Sequence, residues 1–546
     1  MKKILIISVV LLACIFCVPA WNGQEIIPLS SGLYDAMDAL FIMEGKALPS
    51  TVRPWSVSEA ERYLSLISGD TAPELYAYVA GILGKEPLFS FDEYAGLTLG
   101  ASSNVNGYFH TNTDFDWQFN PVENYFFRMD NDNDKSILRL ELKGYFGSLF
   151  HIYFSFNIKN ADWTDDKPFD SRNFNFDLCP FTPDGFTFDE ELSVPDRAFL
   201  SAGGDFWNIQ LGRDRFMIGA GKTGSLILSD NFPYHNMLRL NLFGSRLKFS
   251  FAVSSFWHPQ VYEVGDEKTK GIYLLITNRI EGRLFSDRLT IAFNNTTLYK
   301  DDNGLIDLRY MNPLDYYHNF FISHKQNASA AFELIYAMAK GWNAYAQVII
   351  DDISSPGEND DGKDTAPDQI GYMLGIRYTT VLGKGVLGVN LEAVYTYPFL
   401  YLRSTNRDDQ PDDDPGLGYI GIFRSVGGGI FRSVGGGIPL RKYFIGYTYG
   451  GDAAVLDLSG SYVIPDDLKA EAEVFFMVHG EKNIESKYRH GELSPRLSGE
   501  LSCYSFLKLY FRKEVTSWLG LYGQYNLAYG KNQIDNQFVI GAGLSL

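Results

Sequence analysis

Asp130, Asp132, Asp134 and Glu141 stand at the first, third, fifth and twelfth places of a register that matches the oxygen ligands of a calcium-binding helix–loop–helix. That chemistry requires a sharp turn at the sixth place, where glycine is the usual residue, and this chain has Lys135 there. No helical pattern flanks the run, so it reads as an acidic turn with weak cation binding at most. His110, His151, His235, His258, His318, His324, His479 and His490 are scattered and offer no ligand spacing. Carboxylates are so numerous that spacing selects no acid and base pair for glycoside hydrolysis. Nucleophile motifs and glycine-rich phosphate loops do not stand out either. No catalytic residue, metal ligand or cofactor-binding residue is therefore expected, and no cofactor.

The elements that must position any binding residue are strands. In Ser136 to Lys159, Leu138, Leu140 and Leu142 alternate with Arg139, Glu141 and Lys143. Phe150, Ile152, Phe154, Phe156 and Ile158 then alternate with His151, Tyr153, Ser155, Asn157 and Lys159. Side chains on a strand point to opposite faces with period two, so one face is apolar and the other polar. A two-residue turn would set leucines opposite polar side chains. An odd loop, Gly147-Ser148-Leu149, keeps the two apolar faces together.

One such hairpin fits any sheet packed on one side; repetition narrows the choice. Leu247, Phe249, Phe251 and Val253 alternate with Arg246, Lys248, Ser250 and Ser254. Leu289, Ile291 and Phe293 alternate with Arg288, Thr290 and Asn294, and Leu468, Ala470, Ala472 and Val474 with Lys469, Glu471 and Glu473. Segments of about ten residues, apolar outward and polar inward, mark an all-β transmembrane antiparallel β-barrel. Aromatics at 15%, with 41 Phe and 34 Tyr, suit the girdles of such a barrel. No internal run approaches the ~20 apolar residues of a membrane-crossing helix.

At the N-terminus, Lys2 and Lys3 precede an apolar run from Ile4 to Val18, with a cleavage site at Val18-Pro19-Ala20. A lipoprotein signal ending at Cys14 is the second reading; either one exports the chain. Residues 1–20 are expected to be a signal peptide, 21–88 a periplasmic helical lobe and 89–546 an outer-membrane barrel of about 18 strands. Removing residues 1–20 takes away two lysines and no acid, so the net charge goes from −19 to −21. That balance argues against nucleic acid, whose phosphates call for basic patches. Cys14 and Cys17 lie in the leader, while Cys179 and Cys503 are too far apart in sequence to be taken as a pair.

Three helical patterns make up the lobe: Ser31 to Glu44 stopped by Gly45, a capping box at Ser56-Val57-Ser58-Glu59, and a segment opened by Thr71-Ala72-Pro73-Glu74 and running to about Gly84. Strand patterns begin near Tyr94, and Phe538, Ile540, Ala542, Leu544 and Leu546 form one face of a closing strand. Acidic, Pro/Gly-rich insertions at 130–134, 162–196, 351–368 and 406–416 read as long surface loops. Gly421 to Gly428 (GIFRSVGG) is repeated directly as Gly429 to Gly436. Eight is even, so the duplication keeps inward and outward faces unchanged. It is read as a lengthened glycine-rich loop.

The chain resembles the Wzi-type capsule assembly family of outer-membrane proteins. The resemblance rests on Gly212-Arg213, Ile218-Gly219-Ala220-Gly221, Gly224 to Asn231 (GSLILSDN), Arg309-Tyr310-Met311-Asn312-Pro313 and the helix entry Arg53-Pro54-Trp55-Ser56. It implies an 18-stranded barrel with a periplasmic helical lobe, acting as a non-catalytic surface lectin that helps attach capsular or other surface polysaccharide. Outer-membrane lipid and surface polysaccharide are then the partners, and a monomer is expected. Arg213, Ser229, Asn231, Trp257 and His258 are the candidate polysaccharide-binding residues. Trp257 and His258 close a strand, where an aromatic face stacks on sugar and an imidazole hydrogen-bonds. Gly219 to Asn231 reads equally as a bend in the barrel wall, since glycines within strands mark kinks. Acidic loops would repel an anionic polysaccharide unless divalent cations bridge them. A diffusion porin using the polar lumen, or a surface enzyme with a paired acid and base, remain the rival readings.

Overall fold

The computed structural model describes residues 22–85, 88–91, 95–112, 115, 136–160, 190–193, 197–231, 234–258, 271–309, 311–312, 326–353, 367–404, 417–424, 440–488, 492 and 495–545. Residues 1–20, expected above to be a signal peptide, the acidic run 130–134, Cys179 and most of the long acidic insertions lie outside these residues.

Eighteen long strands close into a barrel. In chain order they are β1 (Ala95–His110), β2 (Ser136–Phe146), β3 (Phe150–Asn160), β4 (Ala198–Gly204), β5 (Trp207–Asp214) and β6 (His235–Phe243). Then come β7 (Leu247–Phe256), β8 (Ile272–Leu284), β9 (Leu289–Asp301), β10 (Gln326–Ala339), β11 (Trp342–Asp352) and β12 (Gln369–Leu382). The last six are β13 (Gly385–Thr396), β14 (Ala453–Ile464), β15 (Leu468–His479), β16 (Ser502–Thr516), β17 (Leu519–Gly530) and β18 (Gln533–Ser545). β18 pairs antiparallel with β1, from Gln537 opposite His110 to Ser545 opposite Ser102, so this sheet has no free edge. The β2–β3 loop is Gly147-Ser148-Leu149, with Phe146 opposite Phe150, as parity requires.

Both faces follow the sequence alternation. Leu140, Leu142, Phe150, Ile152 and Phe154 are exposed on the outer wall, as are Leu458, Val474 and Phe538. Lys248, Ser250, Ser254, Thr290 and Asn294 are buried inside. No helix among the described residues is long and apolar enough to cross a membrane; the crossing is made by strands.

The connections after even-numbered strands are short, such as Lys340-Gly341 and Gly383-Lys384, and those after odd-numbered strands are long, apart from Lys531-Asn532. The barrel therefore has a turn end and a loop end. Three helices, α1 (Leu33–Glu44), α2 (Val57–Leu64) and α3 (Pro73–Leu83), pack on the turn end. Gly45, at φ 74°, stops α1, and the Ser56 side chain caps α2 by accepting the Glu59 N–H. Trp55 is fully buried between Tyr34 and Tyr63, with ring centroids 4.9 and 5.1 Å away. Two backbone bonds seat the lobe on the barrel: Ala47 N–H to the Asp287 carbonyl at 2.7 Å, and Gly341 N–H to the Ile42 carbonyl at 2.8 Å.

Candidate functional site

The resemblance motif that reads as a bend in the wall leaves the wall altogether. After β5, the chain at 215–231 turns into the lumen and meets residues 46–54, which climb in from the helical lobe. Val52 pairs with Ile218 and Arg53 with Met217, antiparallel, and Ile218 bridges to Leu228. Leu226, Ile227 and Leu228 are buried, in one cluster with the lumen-facing Met237, Ala252, Ile335, Met373 and Phe475. Gly219 has φ 125°, and a Cβ there would lie 2.1 Å from Ser225 Oγ and 2.5 Å from Gln347 Nε2. Glycine is required because the segment passes hard against the wall.

Polar side chains of the inner wall take up the backbone groups that this irregular segment carries inside. Glu333 accepts from Ala220 N–H at 3.0 Å, Gln347 Nε2 at 2.8 Å, Arg279 Nη2 at 2.8 Å and Thr51 Oγ1 at 2.5 Å. Glu392 accepts the N–H groups of Lys222 and Thr223 at 2.7 and 2.9 Å. Gln347 Oε1 accepts Leu226 N–H at 3.0 Å. Arg283 donates to the carbonyls of Leu48 and Ala47 at 2.9 and 3.3 Å. The polar lumen rows, which by themselves suit an open channel, are here occupied in holding a plug.

A third segment covers the plug from the loop end. The β13–β14 connection carries Tyr401 and Tyr419, stacked at 5.4 Å, whose hydroxyls donate to the carbonyls of Leu226 and Ile227 at 2.7 and 3.0 Å. Within the same connection, Ile420–Arg424 and Leu440–Phe444 form an antiparallel hairpin. The repeated octapeptide starts in its first strand, and residues 425–439 lie outside the described set.

The candidate residues fall into two groups around this hairpin. Ser229 and Asn231 are buried beneath it. Ser229 accepts or donates at Thr448 Oγ1 (3.1 Å), its N–H bonds the Ile445 carbonyl at 3.0 Å, and Asn231 Nδ2 bonds the Phe444 carbonyl at 3.3 Å. Trp257 is half-buried at the loop end of β7, with its N–H on the Ile422 carbonyl at 3.0 Å. His258 is buried, with Nε2 3.0 Å from Asp302 Oδ1. Burial lowers the imidazole pKa, and the facing Asp302 carboxylate pulls it back part of the way. Arg213 stands on the outer rim, its guanidinium 4.0 Å from the centre of the Tyr234 ring and its Nε 3.1 Å from Asn236 Oδ1.

Tyr234 and Phe256 in turn pack on Tyr443 of the hairpin. The rim at β5 to β7 thus brings Arg213, Tyr234, Phe256 and Trp257 to one aromatic, cation-bearing edge beside the hairpin. Tyr234, Tyr443, Glu333 and Glu392 escape sequence reading. A glutamate on an inward row looks like every other inward polar residue, and Tyr443 reaches the rim through a long connection.

A closed antiparallel barrel with a lipid-facing wall, an interior plug and an N-terminal helical lobe is an outer-membrane protein. The family model for the capsule assembly protein Wzi matches residues 119–409, more than half of the 546-residue chain, and the chain belongs to that family. Among solved structures, it is similar to Wzi of Escherichia coli, described as an outer-membrane protein involved in group 1 capsule assembly and as a carbohydrate-binding β-barrel. That likeness has a TM-score of 0.57 at 13% identity and covers 96% of this chain and 99% of that one; it speaks for the fold. OccK9 (OpdG) of Pseudomonas aeruginosa aligns at 12% identity and TM-score 0.40, covering 84% of this chain and 100% of that one. The anion-selective porin of Comamonas acidovorans aligns at 12% and 0.34, covering 83% and 100%. Both are too remote to carry an argument. No curated protein matches the chain.

Proposed function

We propose that this protein is a non-catalytic, lectin-like barrel that binds surface polysaccharide and anchors it to the outer membrane. The observation that carries the reading is the plug: residues 46–54 and 215–231 fill the lumen with buried apolar side chains and satisfied backbone groups. A wall built around a filled interior is poorly suited to solute diffusion, which leaves the loop end as the working surface. The helical lobe sits in the periplasm and the loop end faces outward, because the helices precede the first strand of an even-stranded barrel.

At that outer face the rim of Arg213, Tyr234, Phe256 and Trp257 combines ring faces with a fixed cation, a pairing suited to stacking on sugar rings and to holding an acidic group on them. Ser229, Asn231 and His258 act from beneath, fixing the hairpin and the β7 exit against which the ligand lies. The protein is exported by its N-terminal signal peptide and works as a monomer. The test is binding of purified surface polysaccharide to the refolded protein, together with planar-bilayer conductance. Saturable binding without steady conductance supports the reading; a steady open conductance would return the barrel to the porins.

A further inference from the structure

Outward-facing residues of barrel strands ordinarily meet lipid, and on the turn-end half of β8 and β9 they do: Ile280 is 42% and Ile291 43% exposed. On the loop-end half of the same two strands the outward row is covered. Leu274, Ile276 and Asn278 on β8, and Asn295, Thr297 and Tyr299 on β9, are all 7% exposed or less. Leu274, Ile276 and Tyr299 form an apolar cluster on the outer wall, separate from the lumen, with Phe251, Val253 and Ile272 packed around it.

Part of the cover is the connection after β9. Asp301 Oδ1 accepts the N–H groups of Asn303 and Leu305 at 2.9 and 3.2 Å, which turns the chain over the rim. The Tyr299 hydroxyl, on the outer wall, donates to the Leu305 carbonyl at 3.0 Å. Met311, whose N–H bonds the Leu308 carbonyl at 3.1 Å, packs onto the outer-wall cluster. Residues 302–309 therefore lie along the outside of the barrel instead of standing up from its mouth.

What this strap presents outward is apolar. Leu305, Ile306 and Leu308 are 65%, 54% and 78% exposed, values like those of the lipid-facing Ile540 at 66% and Leu211 at 56%. The intervening Asp307 neutralises Arg309 through bonds of 2.9 and 3.0 Å to Nε. Branched apolar side chains next to a self-paired charge, on a segment continuous with the lipid-facing wall, have the composition of an interfacial insertion.

We propose that residues 305–309 form a second membrane contact, seating Leu305, Ile306 and Leu308 among the acyl chains of the outer leaflet with the Asp307–Arg309 pair at headgroup level. The placement in the outer leaflet rests on the loop end facing outward, as proposed above. The contact itself requires only that the strap lie in lipid.

The experiment uses the full-length protein with its cysteines replaced by serine and one new cysteine, either Leu308→Cys or Ile306→Cys. Each variant carries an environment-sensitive fluorophore and is reconstituted in phosphatidylcholine nanodiscs with and without doxyl-labelled lipid. Leu456→Cys on the lipid-facing wall and Lys531→Cys in the loop-end turn serve as references. Quenching of the Leu308 or Ile306 label by doxyl lipid within about twofold of the Leu456 label, with shielding from iodide, supports the proposal. Iodide quenching at the level of the Lys531 label overturns it by placing the strap in water. Shielding from both quenchers that disappears on dilution overturns it in favour of a contact between copies. Two probe positions keep the test valid if one variant fails to refold, and a porin-like conductance would refute the polysaccharide reading without touching this one.

Discussion

Glu392 and Thr223 are joined twice over: both the backbone N–H and the hydroxyl of Thr223 donate to the same carboxylate oxygen, at 2.9 and 2.5 Å. The other oxygen takes the N–H of Lys222 at 2.7 Å and the Tyr345 hydroxyl at 2.5 Å. One inward side chain of β13 thereby fixes the innermost turn of the plug. Glu392→Ala leaves those buried donors without their acceptor, at about 1–3 kcal/mol for each. The variant is expected to fold with a lowered melting temperature and to show intermittent conductance in planar bilayers where the parent protein stays closed. Glu392→Gln, which keeps one acceptor oxygen, should fall between the two.

Removing the rim separates ligand contact from scaffold. Trp257→Ala and Arg213→Ala should each weaken binding of purified surface polysaccharide by about tenfold, equivalent to ~1.4 kcal/mol, and leave the melting temperature within about 2 °C of the parent. Ser229→Ala should lower the melting temperature first and affect binding only as far as the hairpin loosens. Isothermal titration and differential scanning fluorimetry on the same samples distinguish the two patterns.

The helical lobe has its own pH dependence. Burial, with Asp205 adding to it, pushes the Glu61 carboxyl up to about 7. A folded-state pKa above the unfolded value means that the folded protein binds the extra proton between the two. Stability from this group is therefore greatest below the unfolded carboxyl pKa and declines as pH rises toward 7. Glu61→Gln should raise the melting temperature at pH 8 by more than at pH 4. The difference corresponds to about 1 kcal/mol, since Glu61 is only half-buried and solvent screens the rest. Equal shifts at the two pH values would refute the assignment.

Deleting residues 429–436 tests the octapeptide repeat. The deletion removes an even number of residues between Ile420–Arg424 and Leu440–Phe444, so the pairing of Gly421 with Tyr443 and Ile422 with Lys442 can persist. The expected result is parental stability and parental polysaccharide binding. A loss of binding with the fold intact would make the second copy a functional element.

The wall of the barrel was legible in the sequence because membrane and lumen impose opposite demands on adjacent residues. The alternation of Leu247 to Ser254 or Leu289 to Asn294 is the barrel written out residue by residue. Helix ends were legible for a similarly local reason, in Gly45 and in the Ser56 cap. The plug was not. Its glycines, Gly219, Gly221 and Gly224, fit a kinked strand as well as an irregular segment, and the difference depends on partners such as Glu333 and Gln347, more than a hundred residues away. Nor could spacing show that Arg213 would share a rim with Trp257. That follows from the register across β5, β6 and β7, which sets Arg213 opposite Asn236 and Asn236 opposite Ser255.

The pairing of Val52–Arg53 with Met217–Ile218 ties together parts of the chain separated by five wall strands. A segment that precedes every barrel strand is threaded into the interior and hydrogen-bonded to a connection between β5 and β6, while the seam between β18 and β1 joins the last residues to some of the first. The two strips of the plug thus come from opposite sides of the first five wall strands and meet inside the closed ring. The seam between β18 and β1 then encloses both halves of the plug, one contributed from before the wall begins and the other from within it.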